Sequence, residues 1–574
     1  MTGRDGTEAN SWSGRRDAID HLLERAECTP DQVLFVELMD GVNESARLTA
    51  AQLRDRAAEV ASALGKAGIK QGDVAILIAG PPTDFLIGLM GCLWAGVIAA
   101  PVAFPRRAEH LTTRLEPVRA NAGAVAVVAG TPQGDAERSV LELLTEGELP
   151  VISTSSTAIT TAPPVGDRDV AYLQYTSGST SDPKGVIVTH ENLIANLGAI
   201  TQLLDVRHDS VIVSWCPLTH DMGLVMGALP SLFFGCPAVL MPPGAFIRRP
   251  MSWMRALSAW GGTHGYSPNF GYDLCVDRST PEERAELDLS SVRCLINGAE
   301  PVRHPTRDRF VEAFAPAGLR PEAHTAAYGL AEATVLVSAS PLDGSDMVFW
   351  VDGTALERDR VVDADAGAAG ARPLVGDGIP ASQYDLRIVD PETRSVLPDD
   401  RVGELWARGP SVSPGYWLRP ESTLDTFGTE IVGDEGGPYM RTGDLAFVRD
   451  GQIVICGRAK DLIVIHGRNI HPHDVELTAE MAHEAVRRGG AAAFSVEENG
   501  VEALVIVVEV DGDPDNAEIT SAVRTVLLRE FEVHVADVLL VGPQGIPKTS
   551  SGKKQRSMTR TLWQEARKAA PATR

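Results

Sequence analysis

The chain of 574 residues has no cysteine pairing pattern, no excess of positive charge and few long apolar runs. Its seven cysteines (Cys28, Cys92, Cys216, Cys236, Cys275, Cys294 and Cys456) are odd in number, scattered and never at CxxC spacing. That excludes a disulfide framework and a cysteine zinc site, and makes a reducing cytoplasm the expected setting. Lys and Arg number 52 against 77 Asp and Glu, a formal net charge of −25, so the chain lacks the cationic surface of a general nucleic-acid binder. One uncharged stretch, Phe85 to Phe104, has the length of a bilayer span, but Gly88, Gly91, Gly96 and Pro101 interrupt it. It is expected to be a buried helix feeding a buried strand, with no transmembrane segment. The polar N-terminus does not read as a signal peptide, and neither a short-period repeat nor a heptad array is present.

What is present is an alternation of short Val- and Ile-rich runs with longer helical patterns, such as VAILIAG (74–80) and VIVSW (211–215). This is the pattern of layered α/β architecture, and the length requires more than one domain. Near Gly451 the texture changes to a compact αβ pattern. The expected division is a large, multi-subdomain N-terminal domain over 1–460 and a small, mobile α+β domain over 461–574, with a hinge near Asp461. From Gln544 to Arg574 there are eight basic residues and one acid, a local +7 on a chain whose remainder carries −32.

The strongest local signal is YLQYTSGSTSDPKGVIVTH (172–190). A strand opens into small and hydroxyl residues, then Asp-Pro-Lys-Gly, then a β-branched run. Small residues let backbone N–H groups form an anion nest, and hydroxyls and Lys184 add donors and charge, so a polyphosphate is the natural ligand. No GK[ST] follows and the next segment reads as strand, which excludes a Walker A loop.

YTSGSTSDPKG resembles the phosphate-binding loop of the adenylate-forming superfamily: acyl-CoA synthetases, nonribosomal adenylation domains and luciferases. Further signatures follow in the family's order: NGAEPV (297–302), YGLAE (328–332), GELWARGPSVSPGYW (403–417), RTGD (441–444), GRAKD (457–461) and PKTSSGKKQR (547–556). Within the superfamily, SWCPLTHDMGL, PNFGYDLC and GRAKDLIVIHGRNIHPHDVE resemble the fatty acyl-AMP ligases, which pass an activated acid to a carrier protein instead of coenzyme A. Ser181, where many superfamily members have glycine, fits that subgroup; Val464 and His466 fill positions that are often basic or polar in coenzyme A ligases.

The resemblance implies ATP and Mg²⁺ as cofactors. Thr176, Ser177, Gly178, Ser179, Thr180 and Lys184 would hold the β- and γ-phosphates, and Glu332 with Thr176 the metal ion. Tyr328, Gly329 and the Gly298-Ala299-Glu300 segment would enclose the adenine, Asp444 would accept from both ribose hydroxyls, and Arg458 would reach the ribose or phosphate. Lys553 is the expected electrostatic catalyst, with Lys554 and Arg556 left as surface or carrier-docking charges. His220 would act as a gate beside the carboxylate, with Asp221, Met222, Met226, Tyr266, Asn269 and Phe270 at the acid site. Met226 and Tyr266 replace commonly small residues and could shorten the acyl tunnel. His471 and His473 lack a third metal ligand at convincing spacing and read as the start of a helix.

No GxDS-type phosphopantetheine attachment sequence occurs, so the expected acceptor is an acyl carrier protein in trans, docking near Lys548 to Lys568. About Met347 to Leu374 the chain resembles the insertion characteristic of fatty acyl-AMP ligases, thought to restrict domain movement and the coenzyme A pocket. An acyl- or aryl-CoA ligase and a catalytically silent nucleotide-binding protein remain as alternatives.

Overall fold

The computed structural model describes residues 17–569 except 79, 105–114, 133, 146–148, 156–168, 176–182, 344–347, 466–467, 499–500, 513–514 and 550–551. Thr176, Ser177, Gly178, Ser179, Thr180, Ser181, Met347, His466 and Arg574 therefore lie outside the described residues.

Two large sheets form the body of the chain. One has six strands in the spatial order Val151–Ser153, Ala126–Ala129, Val74–Ile78, Ile98–Val102, Val170–Tyr175 and Gly185–Thr189. All its pairs are parallel except the last. Val74–Ile78 is buried at every position, as expected of a strand covered on both faces. The other sheet has nine strands and contains a parallel run of Ile212–Ser214, His264–Ser267, Cys294–Asn297 and His324–Gly329.

The apolar stretch beginning at Phe85 belongs to a buried helix, Pro82–Ala95, followed by the strand Ile98–Val102. The helix shares one apolar core with residues of both large sheets, including Leu77 and Ile296. Among the described residues no helix is long and apolar enough to cross a membrane. The segment after Lys184 is the strand Gly185–Thr189, and Thr189 caps the helix His190–Leu204 reciprocally with Asn192.

An antiparallel five-stranded sheet follows, ending in Met440–Arg449 and Gln452–Arg458. After a single helical turn at Ala459–Asp461 come a hairpin, Ile463–Ile465 with Arg468–Ile470, and a three-stranded sheet, Val486–Glu498, Val501–Val510 and Val535–Val541. The helices Pro472–Glu480 and Asn516–Phe531 close a separate core around Ile463, Val475, Ile506 and Val523. The chain is thus mixed α/β, with layered sheets in its N-terminal part and a smaller α+β unit at its C-terminal end.

Val348–Asp352 and Ala371–Val375 form a hairpin that reaches this C-terminal unit. Glu357, 2% exposed, accepts from Arg372 Nη2 at 2.6 Å and from Arg468 Nε at 2.8 Å. Arg372 also reaches Asp474 at 3.2 Å, and Asn469 donates to both oxygens of Asp359.

The cationic end is not uniformly a surface charge. Lys554 has only 8% of its side chain exposed and donates to Glu476 at 3.0 Å and Glu480 at 3.2 Å. Arg556 pairs with Glu476 through two nitrogens and with Asp461 at 3.1 Å. The expectation that these two residues are surface or docking charges is therefore corrected: the acids that neutralise them, Asp461, Glu476 and Glu480, are distant in sequence. Arg560, Arg567 and Lys568, on the helix Arg556–Ala569, are exposed, as is Lys548, which lies 3.9 Å from Glu509.

Candidate active site

The site forms where the parallel strands of the nine-stranded sheet end, the position at which open α/β sheets bind ligands. Ile212–Ser214 leads to His220 and Asp221, His264–Ser267 to Asn269 and Phe270, Cys294–Asn297 to Gly298, Ala299 and Glu300, and His324–Gly329 ends in Tyr328 and Gly329. One cleft is lined by these residues, by Met222, Met226, Lys184, Glu332, Asp444 and Arg458, and by Lys553 of the C-terminal unit. Tight backbone geometry accompanies the convergence. Ala299 is held at φ +68°, and a Cβ on Gly329 would stand 1.6 Å from the Val335 carbonyl oxygen, so only glycine fits there.

Asp444 is 4% exposed and held on both oxygens. Tyr328 Oη donates to Oδ2 at 2.7 Å, and Arg458 Nε lies 2.9 Å from Oδ1. Asp444 and Arg458 are direct partners across adjacent antiparallel strands, which fixes their approach. Burial and the neighbouring Asp444 charge push the Tyr328 phenol well above its ordinary range, so it stays a donor. Asp444 in turn raises Arg458 above its ordinary value against the cost of burial. The RTGD turn is tied to GELW, because Glu404 accepts from Arg441 Nη2 at 2.8 Å and from Gly443 N–H at 3.1 Å.

Across the cleft, Tyr416 Oη donates to Glu332 Oε1 at 2.8 Å, and Lys184 Nζ stands 4.8 Å from the centre of the Tyr416 ring. Tyr416 was not singled out from sequence, although it lies in the quoted SPGYW. Its role depends on a fold that brings it beside YGLAE and PKG.

In the loop after Ile212–Ser214, His220 Nδ1 lies 2.6 Å from Asp221 Oδ1, and the Met222 N–H donates to the same carboxylate at 2.7 Å. Burial opposes charge on Asp221, yet His220 and Lys553 together hold its carboxyl below the ordinary range. The reciprocal holds for Lys553: burial lowers its ammonium, opposed by Asp221, Glu300 and Asp444. Lys553 thus lies within the electrostatic reach of carboxylates from three separate elements, and of Arg458, which also lowers it. Its loop is pinned by a pair of bonds, Lys553 N–H to Thr549 Oγ1 at 3.0 Å and Thr549 N–H to the Lys553 carbonyl at 2.8 Å.

Two acid-site expectations change. Asn269, 2% exposed, spends its amide on the chain: Nδ2 donates to Glu300 Oε1 at 3.0 Å and the Pro301 carbonyl at 2.9 Å. Its Oδ1 accepts from Asn297 Nδ2 and Arg303 N–H, each at 3.0 Å. With its two donors and both acceptor positions used, its amide orders the strand ends and offers no free polar group to the cleft it lines. Tyr266 is 0% exposed and belongs to the core with Cys216, Met222 and Ile296, outside the cleft lining. Met226 lines the cleft wall.

His471 precedes the helix Pro472–Glu480, and burial lowers its imidazole to about 4, so it is neutral. No group of three or more His, Cys, Asp or Glu suited to a metal occurs among the described residues.

Comparison with known proteins agrees with this geometry. A family of AMP-binding enzymes matches residues 22–417, and the AMP domain of Disco-interacting protein 2-like proteins matches residues 460–572. The medium-chain-fatty-acid–[acyl-carrier-protein] ligase JamA of Moorena producens is 38% identical, with 95% of each chain covered. The long-chain-fatty-acid–AMP ligase FadD26 of Mycobacterium marinum is 35% identical over 93% of this chain and 95% of its own. A structure from a study of the fatty acyl-adenylate ligases of E. coli and L. pneumophila superposes with a TM-score of 0.86 at 30% identity, covering 97% of this chain and 98% of the other. The fatty acyl-adenylate ligase of L. pneumophila in complex with acyl adenylate and pyrophosphate superposes at 0.75 with 31% identity, covering 97% of each chain. Matched across nearly its whole length, and with the strand-end cleft of an adenylating enzyme, the chain belongs to the fatty acyl-AMP ligases of the adenylate-forming superfamily.

Proposed function

We propose that the protein activates a fatty acid with ATP, releasing pyrophosphate and forming acyl-AMP, and then passes the acyl group to the phosphopantetheine thiol of an acyl carrier protein in trans. The observation that carries this reading is the placement of Lys553 in one cleft with Asp221, Glu300, Asp444 and Arg458.

In the first step a carboxylate oxygen attacks the α-phosphorus of ATP, and the bond to pyrophosphate breaks. No general base is needed, because the acid is already ionised at neutral pH. Negative charge gathers on the α-phosphoryl oxygens and the leaving group, where a partly desolvated ammonium is most effective. Lys553 fills that role in our reading. Tyr328, Gly329 and Gly298-Ala299-Glu300 enclose the adenine, Asp444 and Arg458 take the ribose side, and Lys184 meets the phosphates with Thr176 to Thr180.

Glu332 fits a divalent ion: it is a carboxylate at the cleft wall, oriented by Tyr416, and a single carboxylate suffices for Mg²⁺ held mainly by phosphates. Bound there with Thr176, Mg²⁺ would neutralise phosphate charge. His220 and Met222 border the carboxylate, and Phe270 and Met226 shape the acid side.

In the second step the thiol attacks the acyl carbonyl and AMP leaves. We place a hinge at Asp461, between an N-terminal domain over 1–460 and a C-terminal domain over 461–574, that withdraws Lys553 for this transfer. The hairpin pairing Glu357 with Arg372 and Arg468 supports a carrier in preference to coenzyme A, since it ties the insertion to the unit that must move. The unpaired thiols support a reducing, cytoplasmic setting.

The test is a matrix of acids with ATP, each offered coenzyme A and a phosphopantetheinylated carrier, with acyl-AMP trapped by hydroxylamine. Trapped adenylate that disappears in Lys553→Ala supports the assignment; unchanged turnover in that variant removes it. Thioester formation with coenzyme A alone would make the protein an acyl-CoA ligase.

A further inference from the structure

Arg303 lies just past NGAEPV, in the loop that follows the strand Cys294–Asn297. Its backbone N–H is fixed by Asn269, the residue that also holds Glu300. Its side chain crosses to the C-terminal unit, where Nη1 donates to Glu480 Oε2 at 2.8 Å with 15% and 3% of the two side chains exposed. Glu480 ends the helix Pro472–Glu480, and its other oxygen accepts from Lys554 at 3.2 Å. Lys554 is the direct neighbour of Lys553, and Glu476 ties it to Arg556 and so to Asp461. A continuous buried ion chain therefore runs from the strand-end loop at the nucleotide side to the residue beside the catalytic lysine.

Burial disfavours the Arg303 charge, but Glu480, Glu300 and Glu476 raise it above its ordinary value, so the guanidinium is charged. A buried pair of this kind is a weak source of net stability, because desolvation offsets the attraction. Its geometry is nonetheless demanding, and it exists only when the two parts of the chain stand as they do here.

We propose that Arg303 is a positioning residue for adenylation: its ion pair with Glu480 registers the C-terminal unit so that Lys553 enters the cleft, and the pair must open when that unit withdraws. The inference rests on the reading of Lys553 as the adenylation catalyst. Arg303 acts through Lys553 and touches no reacting atom.

The experiment is ATP–pyrophosphate exchange driven by decanoic acid in the full chain, with thermal unfolding measured alongside. Arg303→Met is expected to lower the exchange kcat roughly tenfold to hundredfold, the scale of a misplaced catalytic group, with the KM values for ATP and acid changed less than about threefold. Its Tm should stay within about 3 °C of the parent. Arg303→Lys, which keeps a cation facing Glu480 and leaves Lys554 paired, should retain part of the rate. Arg303→Met added to Lys553→Ala should cause no further loss, because both changes remove one function.

Unchanged exchange in Arg303→Met overturns the proposal. So do losses that multiply with Lys553→Ala, or a folded Arg303→Lys as slow as Arg303→Met. A parent protein that exchanges pyrophosphate with no acid would instead refute the adenylation reading itself.

Discussion

Gly552 lies against the ring of Phe270, at φ +85°, so that a Cβ at position 552 would stand 2.2 Å from Phe270 Cε1. The residue before Lys553 is thus pressed onto the Phe270 ring, and both conformation and space demand glycine there. Gly552→Ala should unseat Lys553 and lower acyl-AMP formation roughly tenfold to hundredfold, with a backbone strain of roughly 1–2 kcal/mol added to the clash with the ring. Adding Phe270→Ala should restore part of the rate by clearing the ring. Hydroxamate trapping of the adenylate measures both, and a fully active Gly552→Ala would refute the contact as a determinant of Lys553 position.

Met226 is the residue to test for chain length, because it lines the cleft while Tyr266 sits in the core. Met226→Ala should move the optimum of kcat/KM toward longer acids by about two methylenes, each worth about 0.8 kcal/mol, or roughly fourfold, when buried. Adenylation across an even-numbered acid series measures the shift. An unmoved optimum would mean that Met226 does not end the tunnel.

The Glu476 network sets a dependence on pH. Burial opposes ionisation of Glu476, but Arg556 and Lys554 hold its carboxyl at about 2, below the ordinary 4.5. A depressed carboxylate contributes stability that is complete above its unfolded value and lost as pH falls through the folded one. Glu476→Gln, which leaves Lys554 with Glu480 and Arg556 with Asp461 as their remaining acids, should cost about 1–3 kcal/mol at neutral pH. The difference in unfolding free energy from the parent should shrink as pH drops from 4.5 toward 2. Denaturant unfolding at several pH values checks it; a difference independent of pH would exclude the ion pairs as its source.

Carrier docking should depend on the exposed cations of the helix Arg556–Ala569 and not on the buried ones. Arg560→Glu with Lys568→Glu should raise the KM for an acidic carrier about threefold to tenfold, and the carrier's Kd should rise with salt. Lys554→Gln, which leaves that exposed face intact, should disturb stability and adenylation more than docking. A Kd indifferent to salt would place the carrier elsewhere.

Much of this was legible before any coordinates. PKG followed by a β-branched run predicted a strand after Lys184, and Gly185–Thr189 is one. The stretch Phe85 to Phe104 read as a buried helix feeding a strand, because glycines and a proline suit close packing between sheets better than a bilayer, and that is the arrangement found. Tyr266 was misread because its size was visible but its side of the strand was not. For Asn269, a short polar side chain after a strand gives no sign of whether ligand or neighbouring residues will use its amide. Tyr416 and Arg303 lay in or beside quoted motifs, yet their partners are 84 and 177 positions away in sequence.

By itself, the sequence determined the α/β class, the family and the ordered motifs of an adenylating enzyme, because such information is local: periodicity, loop composition and short runs of functional residues. Only the tertiary structure decided which charges work and which are spent. Lys553 and Lys554 are adjacent and chemically identical, and Lys554 is bound between Glu476 and Glu480 while the Lys553 ammonium feels Asp221, Arg458, Glu300 and Asp444. The difference lies in burial and in partners brought from distant segments, since a lysine's chemistry is set by the dielectric and the charges around it, and folding alone assembles those.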